Sequence, residues 1–344
     1  MSRTKCLVVG ASGYTGAELL RLLLRHPGVE LVGVTSRQYA GSALTEVFPK
    51  YRGVGNADDL AFIEPEAAAM TKTGAEFAFL ALPHGVASEF ARPLVDAGIR
   101  VIDLSADFRL NDAAVYEEFY GSAHPDEALM TEAVYGLPEV YADEIKAARL
   151  VASPGCYPTS ILLPLLPLLR TKAVDPATIH VASMSGVSGA GKKADPSLLF
   201  VECNESVRPY SVPKHRHLSE IEQELSAAAG EKVAISFTPH LVPINAGICS
   251  TIYVATEKSG AEIGNLLESA YANAPFVRLL GENGCPDTKN VVGSNFIDIG
   301  WAEDERTARA VLLSAEDNLG KGAGSQAIQS FNLMAGLDET TGIL

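Results

Sequence analysis

Cys156 stands in the run Ser153-Pro154-Gly155-Cys156-Tyr157-Pro158-Thr159, directly ahead of an apolar stretch that reads as a helix over 158–170. Proline suits the first helical position, where its missing N–H is no loss, so the sequence places Cys156 just outside a helix N-terminus. The N–H groups and dipole at such an end favour thiolate over thiol and lower a cysteine pKa from about 8.5. Gly155 lets a substrate approach closely. This is the setting of a nucleophile. The other cysteines differ: Cys6 and Cys249 fall in expected strands as small core residues, Cys203 in a polar segment and Cys285 in a Gly/Pro loop.

A cysteine nucleophile needs a partner for proton transfer. His215 and His217 lie in Lys214-His215-Arg216-His217-Leu218-Ser219, and Ser219 with Glu222 makes an S-x-x-E capping box. That pattern puts both histidines in the loop before a helix over 219–229. Arg208, Lys214 and Arg216 add three positive charges between 208 and 217, with no acidic residue among them. An anionic substrate is the natural reason for such a loop. His26, His84, His124, His180 and His240 lack comparable surroundings.

Near the start, Gly10-Ala11-Ser12-Gly13-Tyr14-Thr15-Gly16 is a GxxGxxG turn between an expected strand and an expected helix. Glycines there let the backbone approach a pyrophosphate, whose charge rests on the helix N-terminus. The second strand ends in Thr35-Ser36-Arg37 rather than in the carboxylate that usually accepts from an NAD ribose. Hydroxyls and a guanidinium suit a 2′-phosphate and favour NADP. Asp103, Ser105, Asp107 and Arg109 alternate and share one face if the chain stays extended. The glycine-serine turn over 185–193, ending in Lys192 and Lys193, is suited to phosphate or a nicotinamide amide but lacks P-loop spacing.

These residues require particular elements to hold them. Strands over 5–9 and 30–35 flank a helix over 17–25, giving a βαβ unit and hence an α/β parallel sheet, with further strands over 77–81 and 100–104 and a helix over 86–96. Beyond about residue 150 the pattern becomes α+β: strands over 178–183, 232–237 and 250–255, and helices over 158–170, 219–229 and 261–271. The segment 316–337 has helical spacing and is expected to return to the first domain. The division is therefore 1–152 with 317–344 for the cofactor and 153–316 for catalysis.

Composition narrows the partners. The 344 residues carry 27 Lys plus Arg against 42 Asp plus Glu, a formal net charge of −15. That excess argues against nucleic acid and anionic membranes. With 47% hydrophobic residues and a mean hydropathy of +0.13 the chain is an ordinary globular one, and its length exceeds the roughly 250–300 residues at which one core divides. The apolar stretch 161–169 is interrupted by Pro164 and Pro167 and is far shorter than the roughly 18 residues of a membrane span. No signal-peptide core is visible at the start, so a cytoplasmic location is expected. Five scattered cysteines without CxxC spacing indicate neither a disulfide framework nor a zinc knuckle, and no metal site is expected.

Together the segments GASGYTGAEL (10–19), FLALPHG (79–85), DLSADFRL (103–110), YGLPE (135–139), PGCYPT (154–159), GVSGAG (186–191), HRH (215–217) and NLMAGLDETTGIL (332–344) resemble the N-acetyl-gamma-glutamyl-phosphate reductase family of arginine biosynthesis. The resemblance runs along nearly the whole chain. It implies a Rossmann-like domain for NADP and an α+β catalytic and dimerisation domain of the semialdehyde dehydrogenase type. It also implies that Cys156 attacks an acyl phosphate, that a thioester is reduced to the semialdehyde, and that His217 is the acid/base with His215 in reserve. By the same resemblance Gly10, Ser12, Gly13, Tyr14, Thr15, Gly16, Ser36, Arg37, Ser188, Gly189, Asn318 and Lys321 contact the cofactor. Ser105, Arg109, Arg208 and Lys214 are the corresponding substrate contacts, and a homodimer or homotetramer is expected.

Three departures from the family pattern stand out. Ser153 replaces the usual Asn, Ala246 stands where an Arg is usual, and KGAGSQA reorders the usual KGASGQA. Loss of that Arg would remove a charge-assisted hydrogen bond worth about 1.5–3 kcal/mol. Reduction of a related acyl phosphate, N-protected aminoadipyl or aspartyl, and a catalytically weakened NADP-binding sensor are the alternative readings.

Overall fold

In a computed structural model of the chain, which describes residues 3–192 and 194–344, the run Cys6-Leu7-Val8-Val9 is fully buried in the first strand, β1 (Thr4–Val9). β2 (Val29–Thr35), β3 (Phe62–Ile63), β4 (Phe77–Leu80), β5 (Arg100–Asp103), β6 (Val134–Tyr135) and β7 (Leu150–Ala152) join it in the order β3-β2-β1-β4-β5-β7-β6. Every pairing in this sheet is parallel. Parallel strands read as continuous apolar runs because both faces are covered, and β4 is buried along its whole length. The helix Ser325–Met334 joins the same unit, setting Phe331 edge-on to Phe77 at a ring separation of 5.0 Å.

The second sheet is mixed, in the order β12-β13-β14-β11-β8-β10-β9: β8 (His180–Ser185), β9 (Arg208–Pro209), β10 (Ser236–Leu241), β11 (Ile248–Ala255), β12 (Val277–Glu282), β13 (Ile297–Asp304) and β14 (Arg309–Glu316). Backbone contacts divide the chain into two units. One is Met1–Glu117, Gly121–Pro154 and Ala323–Leu344; the other is Glu118–Tyr120 and Gly155–Gly322.

The helix Cys156–Arg170 is buried from Tyr157 to Leu169, as expected of a helix apolar on all sides. Pro164 and Pro167 lie inside it and withhold the N–H groups that the carbonyls of residues 160 and 163 would normally receive. Each carbonyl is supplied by a hydroxyl instead. Ser314 Oγ donates to the Ser160 carbonyl at 2.6 Å, and the Tyr271 hydroxyl donates to that of Leu163. Beneath the helix, Ser183, Ser250 and Ser314 are register neighbours across β8, β11 and β14. Ser250 Oγ lies 2.8 Å from Ser160 Oγ and 2.7 Å from Ser183 Oγ.

Several sequence expectations are corrected. The strand expected over 232–237 is β10, four residues later, and it contains Pro239. Its neighbour β9 is only two residues long, so Pro239 sits almost at a sheet edge, where proline is tolerated. β12, β13 and β14 were not anticipated. Within 316–337, Glu316 ends β14, residues 320–324 form a wide π turn, and only Ser325–Met334 is α-helical. Asp103, Ser105, Asp107 and Arg109 do not share an extended face, because β5 ends at Asp103 and the chain turns. Asp103 accepts from the N–H and Oγ of Ser105, and Asp107 accepts from the N–H groups of Gly85 and Ser88.

Candidate active site

Cys156 is the first residue of its helix rather than a residue outside it, and Pro158 is the third. Gly155 is the N-cap, with φ −67° and ψ 159° and no side chain to satisfy the first N–H groups. The positive end of the helix dipole therefore lies at Cys156 without a side-chain cap. Two glycines make room around this residue. A Cβ on Gly155 would lie 2.6 Å from His217 Nε2, and one on Gly322 would lie 2.8 Å from Cys156 Cβ and 2.9 Å from Glu316 Oε1. The His217 imidazole thus packs directly on the backbone that carries Cys156. From the same side, the Gly155 N–H donates to the buried Glu220 Oε1 at 2.8 Å.

The capping box does not form as expected. The helix begins at His217, and Ser219 Oγ donates back to the Arg216 carbonyl at 2.8 Å, so only His215 precedes the helix. His215 Nδ1 accepts the His217 N–H at 3.1 Å, which fixes its ring. Burial, reinforced by the Arg216 charge, pushes His215 down to about 4. It is neutral at neutral pH. Tyr157 and Tyr210 share a hydrogen bond at 2.8 Å beside these rings, and burial raises both phenols, Tyr210 to about 12.

Cys156, His215, His217, Gly189, Arg208 and Lys214 all line one pocket of about 540 Å³ within the second unit. Its positive charge is smaller than the local sequence suggests. Lys214 pairs with Glu118 at 2.7 Å and lies 4.3 Å from the Phe119 ring centroid, a carboxylate that sequence distance had hidden. Arg208 donates to the Ser197 carbonyl at 2.7 Å.

In the same unit, Asn318 accepts the Gly247 N–H at 2.7 Å and donates to Ser188 Oγ at 2.9 Å, bracing the turn that carries Ser188 and Gly189. Lys321 is fully buried, its ammonium 5.9 Å from the Phe276 ring centroid. Lys193 lies outside the described residues.

The first unit holds the glycine loop. Gly10 has φ +80°, and a Cβ there would strike the Ala81 carbonyl at 2.4 Å; one on Gly16 would strike the Gly10 carbonyl at 2.5 Å. Gly13 is different, since its nearest neighbour would be 3.7 Å away. It is the N-cap of the helix Tyr14–Leu23, again without a side-chain cap. Open space before uncapped N–H groups fits a dinucleotide pyrophosphate. Ser12 Oγ and Ser36 Oγ lie 3.0 Å apart, and the exposed Arg37 reaches Glu89 at 4.0 Å. Ser105 is buried in the turn after β5. Arg109 is also buried and donates to the carbonyls of Ser153 and Leu104 at 2.7 and 2.9 Å, an anchor for the strand end before Cys156.

Sequence reasoning missed Glu220, Glu316, Tyr210 and Glu118. Glu220 was accessible, since it follows His217 by three positions on one helix face; the others are long-range. Among the described residues no group of His, Cys, Asp and Glu could hold a metal ion, and no helix is long and apolar enough to cross a membrane.

Comparison with known proteins agrees with this architecture. Residues 5–148 match the family model described as Semialdehyde dehydrogenase, NAD binding domain, and residues 156–318 match Semialdehyde dehydrogenase, dimerisation domain. N-acetyl-gamma-glutamyl-phosphate reductase of Akkermansia muciniphila is 64% identical, over 100% of this chain and 99% of that one. The enzyme of the same name from Moorella thermoacetica is 50% identical, over 98% and 96%. Among solved structures, aspartate semialdehyde dehydrogenase II from Vibrio cholerae matches with a TM-score of 0.73 at 18% identity, over 97% of this chain and 99% of that one. Aspartate semialdehyde dehydrogenase with NADP from Candida albicans matches at 0.69 and 15%, with the same shares. At these identities the structural likeness concerns the fold. The full-length similarity and the two matched domains show that the chain belongs to the semialdehyde dehydrogenase family, among its N-acetyl-gamma-glutamyl-phosphate reductases.

Proposed function

We propose that the chain reduces N-acetyl-gamma-glutamyl phosphate to N-acetyl-L-glutamate 5-semialdehyde and phosphate, with NADPH as reductant, in arginine biosynthesis in the cytoplasm. The observation that carries this reading is the packing of His217 against the Gly155 backbone next to Cys156, both on one pocket. The Cys156 thiolate attacks the acyl carbon; the carbon–oxygen bond to phosphate breaks and an acyl thioester forms. His217 gives the departing phosphate its proton and so becomes a base. NADPH, when bound, supplies hydride. The thioester carbon takes it up, and the resulting thiohemiacetal oxyanion expels the Cys156 thiolate to release the aldehyde. Dividing the reduction in this way replaces one difficult step by two easier ones. His215, held neutral by its surroundings, is the weaker candidate for the proton carrier.

Gly10, Ser12, Gly13, Tyr14, Thr15 and Gly16 would hold the cofactor pyrophosphate, and Ser36 with Arg37 the 2′-phosphate. Arg208 and Lys214 are the substrate's candidate anion contacts. For the oligomer, the outward side of β8 and β11 leaves Met184 and Tyr253 exposed, and a homodimer or homotetramer formed through this face is our reading. Light scattering that gave a monomer at micromolar concentration would contradict it.

Phosphate-dependent reduction of NADP with N-acetylglutamate, aspartate and N-protected aminoadipate semialdehydes tests the reaction. Highest kcat/KM with the first is expected. Preference for either of the others would reassign the substrate, and no turnover of any would favour a sensor.

A further inference from the structure

The first turn of the helix His217–Ala229 meets Gly155 at two points. The His217 ring lies against the glycine α-carbon, and three residues on the Glu220 carboxylate accepts the glycine N–H at 2.8 Å. A spacing of three puts both side chains on one helix face. Gly155 is in turn the N-cap of the helix whose first residue is Cys156. A bond at this point ties the backbone bearing the thiol to the turn bearing the imidazole.

Glu220 is only 1% exposed. Burying a carboxylate is unfavourable unless it is hydrogen-bonded, so simple space-filling would be better served by an apolar side chain of similar volume. A charge-assisted bond to a backbone N–H at a helix N-terminus offsets that penalty and gives the carboxylate a directional task. We propose that Glu220 is a positioning residue, one that sets the separation of Cys156 and His217 for proton transfer. The proposal rests on the Cys156–His217 reading of the site given above.

Three variants separate a tether from packing. Glu220→Gln keeps an acceptor at the same reach, Glu220→Asp shortens it by one methylene, and Glu220→Met fills the space without an acceptor of comparable strength. The readouts are kcat and KM in the phosphate-dependent assay, and the rate of Cys156 alkylation by iodoacetamide at fixed pH without substrate. A displaced catalytic pair is expected to lower kcat about 50-fold in the Met and Asp variants, with KM changed less than about threefold. The Gln variant is expected to keep kcat within about fivefold of wild type, and alkylation should slow in Met and Asp but not in Gln. The proposal is overturned if Gln loses as much as Met, if Met retains kcat within about twofold, or if the loss falls on KM instead. Alkylation needs no substrate. The expected alkylation series in an enzyme that turned over none of the three semialdehydes would sustain the tether while refuting the proposed reaction.

Discussion

Two helix N-termini in this molecule begin with almost the same backbone and are surrounded in opposite ways. Gly13, before the helix Tyr14–Leu23, has φ −74° and ψ 174°; Gly155, before the helix Cys156–Arg170, has φ −67° and ψ 159°. Neither offers a side-chain cap. The space around Gly13 is open, whereas Gly155 is enclosed by the His217 ring and its N–H is held by Glu220. On the proposed reaction, one element, a helix end without a side-chain cap, would serve an anion that comes and goes or a thiolate that belongs to the chain. What surrounds the glycine decides which.

The largest effect bearing on this contrast is expected from Cys156→Ser, which keeps the helix end but removes the proposed nucleophile. Turnover should fall at least about 10³-fold with the fold intact, and unaltered turnover would refute the thioester route. Gly155→Ala comes next. Its methyl would enter the space of His217, at a cost of about 1–3 kcal/mol in stability and about 100-fold in kcat. Adding His217→Ala should restore the denaturation midpoint but not the activity; failure to restore it would show that the enclosure has another cause.

Gly13→Ala should leave stability within about 0.5 kcal/mol, because the methyl would meet only the Gly10 carbonyl at an ordinary contact distance of 3.7 Å. It should raise KM for the dinucleotide about tenfold by obstructing the pyrophosphate approach. An unchanged KM would mean that the open space serves no ligand. Arg37→Ala is expected to reduce the preference for NADPH over NADH by about tenfold, a modest change because the guanidinium is exposed and shared with Glu89.

A separate effect concerns pH. His215 in the folded chain is depressed from 6.5 to about 4, so on acidification the unfolded chain takes up its proton first. Its contribution to stability is complete above pH 6.5 and is lost as pH falls from 6.5 toward 4. His215→Gln should flatten that part of the stability–pH curve, measured by urea denaturation, and an unaltered slope would contradict the depressed titration.

The parts of this contrast legible in the sequence are the local ones. Gly10 to Gly16, Thr35 to Arg37 and the residues around Cys156 announce themselves because turn chemistry and helix starts are short-range. His215 and His217 could be named but not placed, since Ser219 and Glu222 imitate a capping box while Ser219 Oγ turns back to the Arg216 carbonyl. Partners distant in sequence were invisible: Glu118 neutralises Lys214 across 96 positions, and Glu316 and Cys156 both border Gly322. β13 and β14 escaped notice because pairing, of β13 with β12 and β14 and of β14 with β11, rather than a strict alternation in sequence, stabilises them. Pro239 obscured β10 because its tolerance depends on the brevity of β9.

The prolines of the Cys156 helix have a mechanical consequence. Sliding or rolling this helix by even part of a turn would take the Ser160 and Leu163 carbonyls away from Ser314 and Tyr271, stranding two buried acceptors at about 1–3 kcal/mol each. The helix is locked both axially and rotationally by bonds that an ordinary helix would satisfy within itself. These bonds hold the helix that begins at Cys156 in place, so on the proposed reaction the adjustment is expected from the segments that approach the thiol rather than from the thiol itself.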